Sequence, residues 1–171
     1  MKHTVLVVLL AAGIMACFFQ PWLRLHSVQI GAAKKLLGAS DSAAVMTFTG
    51  ASILPAVNGG LGKGVLKILG VLFVSVRDAD YKAYLVWSVP VVAGFMAYFS
   101  VRYPRSRFPM GCIALSGLGI AGTGVYRLLQ LDMDGLIWRV EVCTAFCATL
   151  AGFFFIGVVQ THHFFSSFRA R

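Results

Sequence analysis

Two cysteines near the end of the chain stand four residues apart, Cys143 and Cys147, and on a helix they would share one face. Such a pair would suit a structural zinc site only with further thiols or imidazoles, because zinc takes four ligands there. The remaining cysteines, Cys17 and Cys112, fall in two other long apolar stretches of the sequence, Thr4–Gln20 and Pro109–Gln130. We therefore predict no metal site and no disulfide framework, and interpret the cysteines as small apolar side chains in helix packing.

Histidine is the second residue type that could do chemistry. A bis-histidine haem needs two imidazoles that face each other at one depth, and the middle of every apolar run lacks histidine. We therefore predict bound lipid and no cofactor. A quinone, haem or pigment stays an open alternative, for which the candidate binding residues are His162, His163 and His26.

Catalytic patterns are missing from the sequence. No Ser-His-Asp or paired-carboxylate arrangement occurs, and the alternating glycines of Gly117–Gly122 lie within an apolar run rather than between a strand and a helix. We predict that the protein is not an enzyme and has no catalytic residues.

Charged residues near the ends of apolar runs suggest one ion pair. Arg127 precedes a short turn, and Glu141 follows it. An Arg127–Glu141 pair would neutralise both charges at the membrane interface, where water is scarce. The alternative is that each side chain extends separately to the lipid headgroups.

Small residues recur at helical spacing in the last two apolar runs. Small side chains at this spacing let helix backbones approach closely, which replaces the hydrophobic driving force that lipid does not provide. The predicted helix-packing residues are Gly117, Ala121, Gly124, Ala148 and Gly152.

Four apolar runs must position these residues. At about 1.5 Å per helical residue, each run crosses a hydrocarbon core of about 30 Å, or nearly so. With 58% hydrophobic and only 12% charged residues in 171, the chain is predicted to be an all-α integral membrane protein, a single domain forming a four-transmembrane-helix bundle. The runs are Thr4–Gln20, Ala83–Val101, Pro109–Gln130 and Leu136–Gln160.

The first run fits a signal sequence equally well. We interpret it as a retained first helix that ends at Pro21, with Trp22 anchoring it at the interface.

A long segment, residues 21–82, separates the first two runs. Partial alternation in Trp22–Ile30 is typical of a short strand, whereas Gln29–Leu37 could instead form a short helix. Val65–Val76 is too short to span, so we predict an interfacial or re-entrant helix.

The charge distribution predicts the orientation. Arg102, Arg105 and Arg107 crowd the turn between the second and third runs, and Asp132 and Asp134 lie in the turn after the third. By the positive-inside rule both termini are cytoplasmic, in a bacterial inner membrane, and residues 21–82 are external. The net charge of +9 is assigned to these interfaces and not to nucleic-acid binding.

The predicted topology resembles the claudin and peripheral-myelin-protein type of four-span protein, with internal termini, a long first external loop and a short second one. Pro21-Trp22 opens the loop, but the Trp–Gly-Leu-Trp–Cys–Cys signature of that loop does not occur, so the resemblance is one of topology and no residue roles follow from it.

Two functions remain. The first is a non-catalytic accessory subunit that packs against other membrane subunits and lipid, and recognises partners through residues 21–82. The second is a small transporter or a quinone-, haem- or pigment-binding protein, for which Ser88, Ser116, Thr123 and Thr144 would have to line a polar cavity.

Overall fold

A computed structural model describes residues 2–27, 46–53, 79–129 and 138–169. The elements follow in the order α1 (Lys2–Phe18), β1 (Pro21–Ser27), β2 (Met46–Thr49), α2 (Ala79–Arg102), α3 (Arg107–Leu129), β3 (Trp138–Val142) and α4 (Thr144–Arg169). Residues 50–53 are also helical.

This part of the chain is mostly helical, as predicted. Two helices are long and apolar enough to cross a membrane, at Arg107–Tyr126 and Thr144–Ser167, and two shorter apolar stretches lie at His3–Phe18 and Val86–Arg102. The predicted helices at Gln29–Leu37 and Val65–Val76 lie outside the described residues.

The last apolar run departs from its prediction. Its first residues, Trp138–Val142, form a strand, and the helix begins only at Thr144. The physical reason is a period of two: Trp138, Val140 and Val142 alternate with two charged residues, which suits a half-buried strand better than a helix. The predicted all-α fold, with at most a short strand, is therefore corrected: the described residues form helices and a small three-stranded sheet.

The sheet is antiparallel, with strand order β2-β1-β3. Arg24 in the central strand lies opposite Thr47 of β2 and opposite Glu141 of β3. The register of β1 against β2 shifts between Pro21 and Leu23, where proline has no N–H to donate to a ladder.

The helices pack in the order α2, α1, α4, α3, since α1 contacts both α2 and α4, and α4 also contacts α3. Val7, Ala11 and Ile14 of α1 are buried. They form one hydrophobic core with Ala93 and Met96 of α2, Ile113 and Ala121 of α3, and Phe153 and Ile156 of α4.

A second core lies between the sheet and the neighbouring helix ends. It consists of the buried residues Phe18, Trp22, Leu23, Leu25, Phe48, Ile53 and Val86. Trp22 connects three elements here. Its indole Nε1 donates to the Cys17 carbonyl at 2.8 Å, and its own carbonyl accepts from the Cys143 amide at 2.8 Å.

Backbones approach closely where α3 crosses α4. A Cβ added at Gly117 would lie 2.7 Å from the Phe153 carbonyl oxygen and 3.0 Å from the Gly157 nitrogen, whereas one added at Gly119 would meet nothing within 4 Å. Because the obstructing atoms at Gly117 are backbone, they can move only if the helices separate.

Gly117→Ala should therefore lower the melting temperature in detergent, at an overpacking cost of about 1–3 kcal/mol. Gly119→Ala is the matched control in the same helix and should be neutral or stabilising, because alanine has the higher helix propensity. Equal melting of the two variants would contradict the close α3–α4 contact.

Candidate functional site

Polar side chains gather at the two ends of the helices. At one end they lie on the outer face of the sheet, which we define by Arg24, His26, Thr47 and Glu141. At the other end they form what we call the end cluster: His3, Ser100, Met110, Gln160 and His163.

The outer face of the sheet follows from strand alternation. Leu23 and Leu25 are buried beneath β1, so Arg24 between them is exposed, as are Thr47 and Glu141. His26 Nε2 lies 2.9 Å from Glu141 Oε2 across the β1–β3 pair. The result is a solvated face of mixed charge that joins residues far apart in the sequence.

The predicted pair between Arg127 and Glu141 stays a prediction, because the side chain of Arg127 lies outside the described residues. Glu141 instead lies beside His26, a residue that the sequence offered only as a cofactor ligand. The β1–β3 register, which brings the two together, was not predicted.

The end cluster lies where the N-terminal end of α1 meets the C-terminal ends of α2 and α4 and the start of α3. His163 Nδ1 is 3.3 Å from Met110 Sδ, and the ring centres of His3 and His163 are 4.9 Å apart. His162, the other predicted candidate, is exposed and does not line this cleft.

Beside the imidazoles, a hydrogen bond links α2 to α4. Gln160 Nε2 donates to Ser100 Oγ at 3.0 Å, and both residues are buried. This pair was not predicted from the sequence. The available signal was that each residue is a polar side chain at the C-terminal end of its apolar run, which places both at one end of the predicted helices.

The cleft at the end cluster is small, with room of about 10 Å³. This is about the space that one water molecule needs. Groups of three or more His, Cys, Asp or Glu side chains that could hold a metal do not occur among the described residues. The end cluster is not such a group, because it contains two imidazoles, those of His3 and His163, together with the thioether of Met110.

A larger groove of about 510 Å³ lies between α3 and α4, and the described residues that line it are all apolar, among them Gly122, Cys147 and Phe154. A volume of this size could take a ligand. Polar groups that would orient a headgroup or ring are not among these lining residues.

All four cysteines are free thiols. Cys143 is buried in front of α4, while Cys147 is exposed within it. Burial raises the pKa of the Cys143 thiol, against the opposing effect of Arg24. The thiol is therefore neutral near pH 7 and is a poor nucleophile.

The small residues predicted to pack helices have different surroundings. Gly117 adjoins Gly157, a Cβ at Gly124 would meet Leu150, and a Cβ at Gly152 would meet Ile14 of α1. Ala121 is buried, whereas Ala148 is exposed.

Comparisons of this chain with protein-family models, with curated proteins and with solved structures give no match.

The buried pair gives a stability prediction. Ser100→Ala would leave the Gln160 amide without its acceptor and should destabilise the protein by about 1 kcal/mol, as is typical of hydrogen bonds between helices. Thermal melting in detergent measures the effect.

Ser116→Ala, at an exposed position of α3, is the matched control and should leave the melting temperature unchanged. Adding Gln160→Leu to Ser100→Ala should recover part of the loss, since no unpaired polar group then remains. A Ser100→Ala variant that melts like Ser116→Ala would show that the pair contributes nothing.

Proposed function

We propose that this protein is a four-span integral membrane protein that acts as a non-catalytic accessory subunit of a larger membrane complex, and that the outer face of its sheet recognises a partner subunit. The supporting observation is the pairing of β1 with β3, which joins the segment after α1 to the connection before α4 in one polar surface.

The exposed apolar surface of the helices supports a membrane location. Only 28% of the Arg107–Tyr126 window and 33% of the Thr144–Ser167 window are buried within the protein. Leu115 is 75% exposed and Leu129 is 80% exposed. Water would oppose so much apolar surface, whereas lipid accepts it.

The two shorter helices share this surface character. Leu9 of α1 is 64% exposed, and Phe95 of α2 is 57% exposed. Because α1 lies between α2 and α4 in the packing order, a membrane that contains α3 and α4 would contain α1 and α2 as well.

The arginine distribution supports cytoplasmic termini, and the membrane that we propose is a bacterial inner membrane. Antiparallel packing gathers the start of α1, the end of α4 and the α2–α3 turn at one end, with Arg102, Arg105 and Arg107 in or next to that turn. The outer face of the sheet lies at the opposite, external end. This assignment follows the positive-inside rule.

The composition of the sheet supports the proposed recognition of a partner. Interfaces need polar groups that specify a partner, and rim charges contribute to its selection. The outer face of the sheet offers Arg24, Thr47 and the His26–Glu141 pair on a rigid ladder. The helices offer apolar surface, which suits lipid and partner helices but specifies little.

Orientation is testable by cysteine labelling in intact cells. Thr47→Cys should react with a membrane-impermeant maleimide from outside, and Ser106→Cys only after permeabilisation, because the two positions are exposed at opposite ends of the helices. The unsubstituted chain reports the background from its four cysteines. External labelling of Ser106→Cys would refute the proposed topology.

Partner recognition is testable by site-specific photocrosslinking. A photoreactive residue at Thr47 should give one discrete protein adduct, and the same residue at Ser106 should not give that adduct. Arg24→Glu should weaken the Thr47 adduct by reversing the charge at the centre of the face.

If Thr47 gives no adduct, and reconstituted liposomes show solute flux that depends on the protein, the transporter alternative should replace the accessory-subunit proposal. Optical spectra of the purified protein test the haem or pigment alternative directly.

A further inference from the structure

We propose that the end cluster is a binding site for a monovalent soft metal ion, copper(I), held by the Met110 sulfur and the imidazoles of His163 and His3. The three residues come from α3, α4 and α1. This site lies at the opposite end of the helices from the outer face of the sheet, and it does not require the proposed partner.

The distance between His163 and Met110 fits two ligands of one ion. Zinc binds imidazole nitrogen at about 2.0 Å and thiolate sulfur at about 2.3 Å. If copper(I) makes bonds of similar length, the 3.3 Å between His163 Nδ1 and Met110 Sδ corresponds to a ligand–metal–ligand angle of about 100°, which is near that of a tetrahedral site.

His3 is placed to complete the site. Two imidazoles that bind one ion through bonds of about 2 Å hold their ring centres about 5 Å apart, and the ring centres of His3 and His163 are 4.9 Å apart. His3 is exposed, so its ring can turn a nitrogen towards the ion without displacing packed neighbours. Met110, by contrast, is 4% exposed, which fixes the sulfur inside the cleft.

The donor set selects the metal. A thioether with imidazoles suits copper(I), whereas calcium and magnesium need oxygen ligands and zinc sites use imidazole, thiolate or carboxylate. The described residues that line the cleft include no carboxylate. A dication would keep its full charge among neutral ligands, at the end of the helices that also carries Arg102 and Arg105. A monovalent ion is less opposed by these cations.

The cleft also has the appropriate size. Its room of about 10 Å³ is about the space that a single water or ion needs. Gln160 and Ser100 line the same cleft and bond to each other, which stiffens α4 one turn before His163. A competing interpretation is that His163 simply donates a weak hydrogen bond to the sulfur, and the experiment distinguishes the two.

The test titrates copper(I), kept reduced with ascorbate, into the purified full-length protein against the coloured chelator bicinchoninate. Met110→Leu and His163→Gln should each abolish the tight binding of one copper(I) ion per protein. His3→Gln should weaken the affinity for that ion about tenfold or more. Met15→Leu and His162→Gln are the matched controls and should retain it. The four cysteines also bind copper(I), so the measured quantity is the difference of one equivalent between each variant and the unsubstituted chain.

Melting curves without copper establish that each variant is folded. X-ray absorption of the unsubstituted protein with one equivalent of copper(I) provides a measurement that needs no variant, and should show imidazole scattering together with sulfur. Sulfur alone would mean that thiols hold the ion and would overturn the proposal. The proposal would also be overturned if Met110→Leu and His163→Gln both kept the tightly bound copper(I) ion. That result is expected if the contact between His163 and Met110 is only a hydrogen bond.

Discussion

The architecture depends on the contacts that join the C-terminal end of α1 to the N-terminal end of α4. Trp22 follows α1 directly, donates to the carbonyl of Cys17 and accepts from the amide of Cys143. Its ring lies against Phe18 on one side and Phe146 of α4 on the other. Residues from both ends of the sequence thus meet at one side chain, which is buried. The β1–β3 ladder continues from this point and fixes the separation of the two helices.

Once α1 and α4 are antiparallel and in register, the opposite end is determined as well. Gly152 lies against Ile14 about one turn from the end of α1, and His163 lies against His3 at the other end. A small change in register at the sheet would move these residues apart, because one helical residue advances about 1.5 Å. The sheet and the end cluster are therefore mechanically related although they lie at opposite ends.

Sequence patterns predicted the helices well and the pairing of distant residues poorly. Apolar runs locate the interior of a helix, and α3, predicted at Pro109–Gln130, is found at Arg107–Leu129. Strand β3 was missed because Trp138–Val142 merges with the apolar run that follows, and hydropathy alone does not register a period of two over five residues. The β1–β3 register and the contact of His163 with Met110 depend on tertiary packing. A single sequence does not reveal which residues vary together, so neither could be derived from it.

The proposed lipid environment accounts for the position of several polar contacts at the ends of the helices. A polar group in the middle of a lipid-facing helix must find a partner within the protein, since hydrocarbon offers none. The helices satisfy this requirement locally: the hydroxyl of Thr149 donates to the carbonyl of Ala145, and that of Thr161 to the carbonyl of Gly157. The proton of each of these hydroxyls is thus engaged with the backbone of its own helix. Three contacts between side chains of different elements, His26–Glu141, Gln160–Ser100 and His163–Met110, lie at the two ends of the helices.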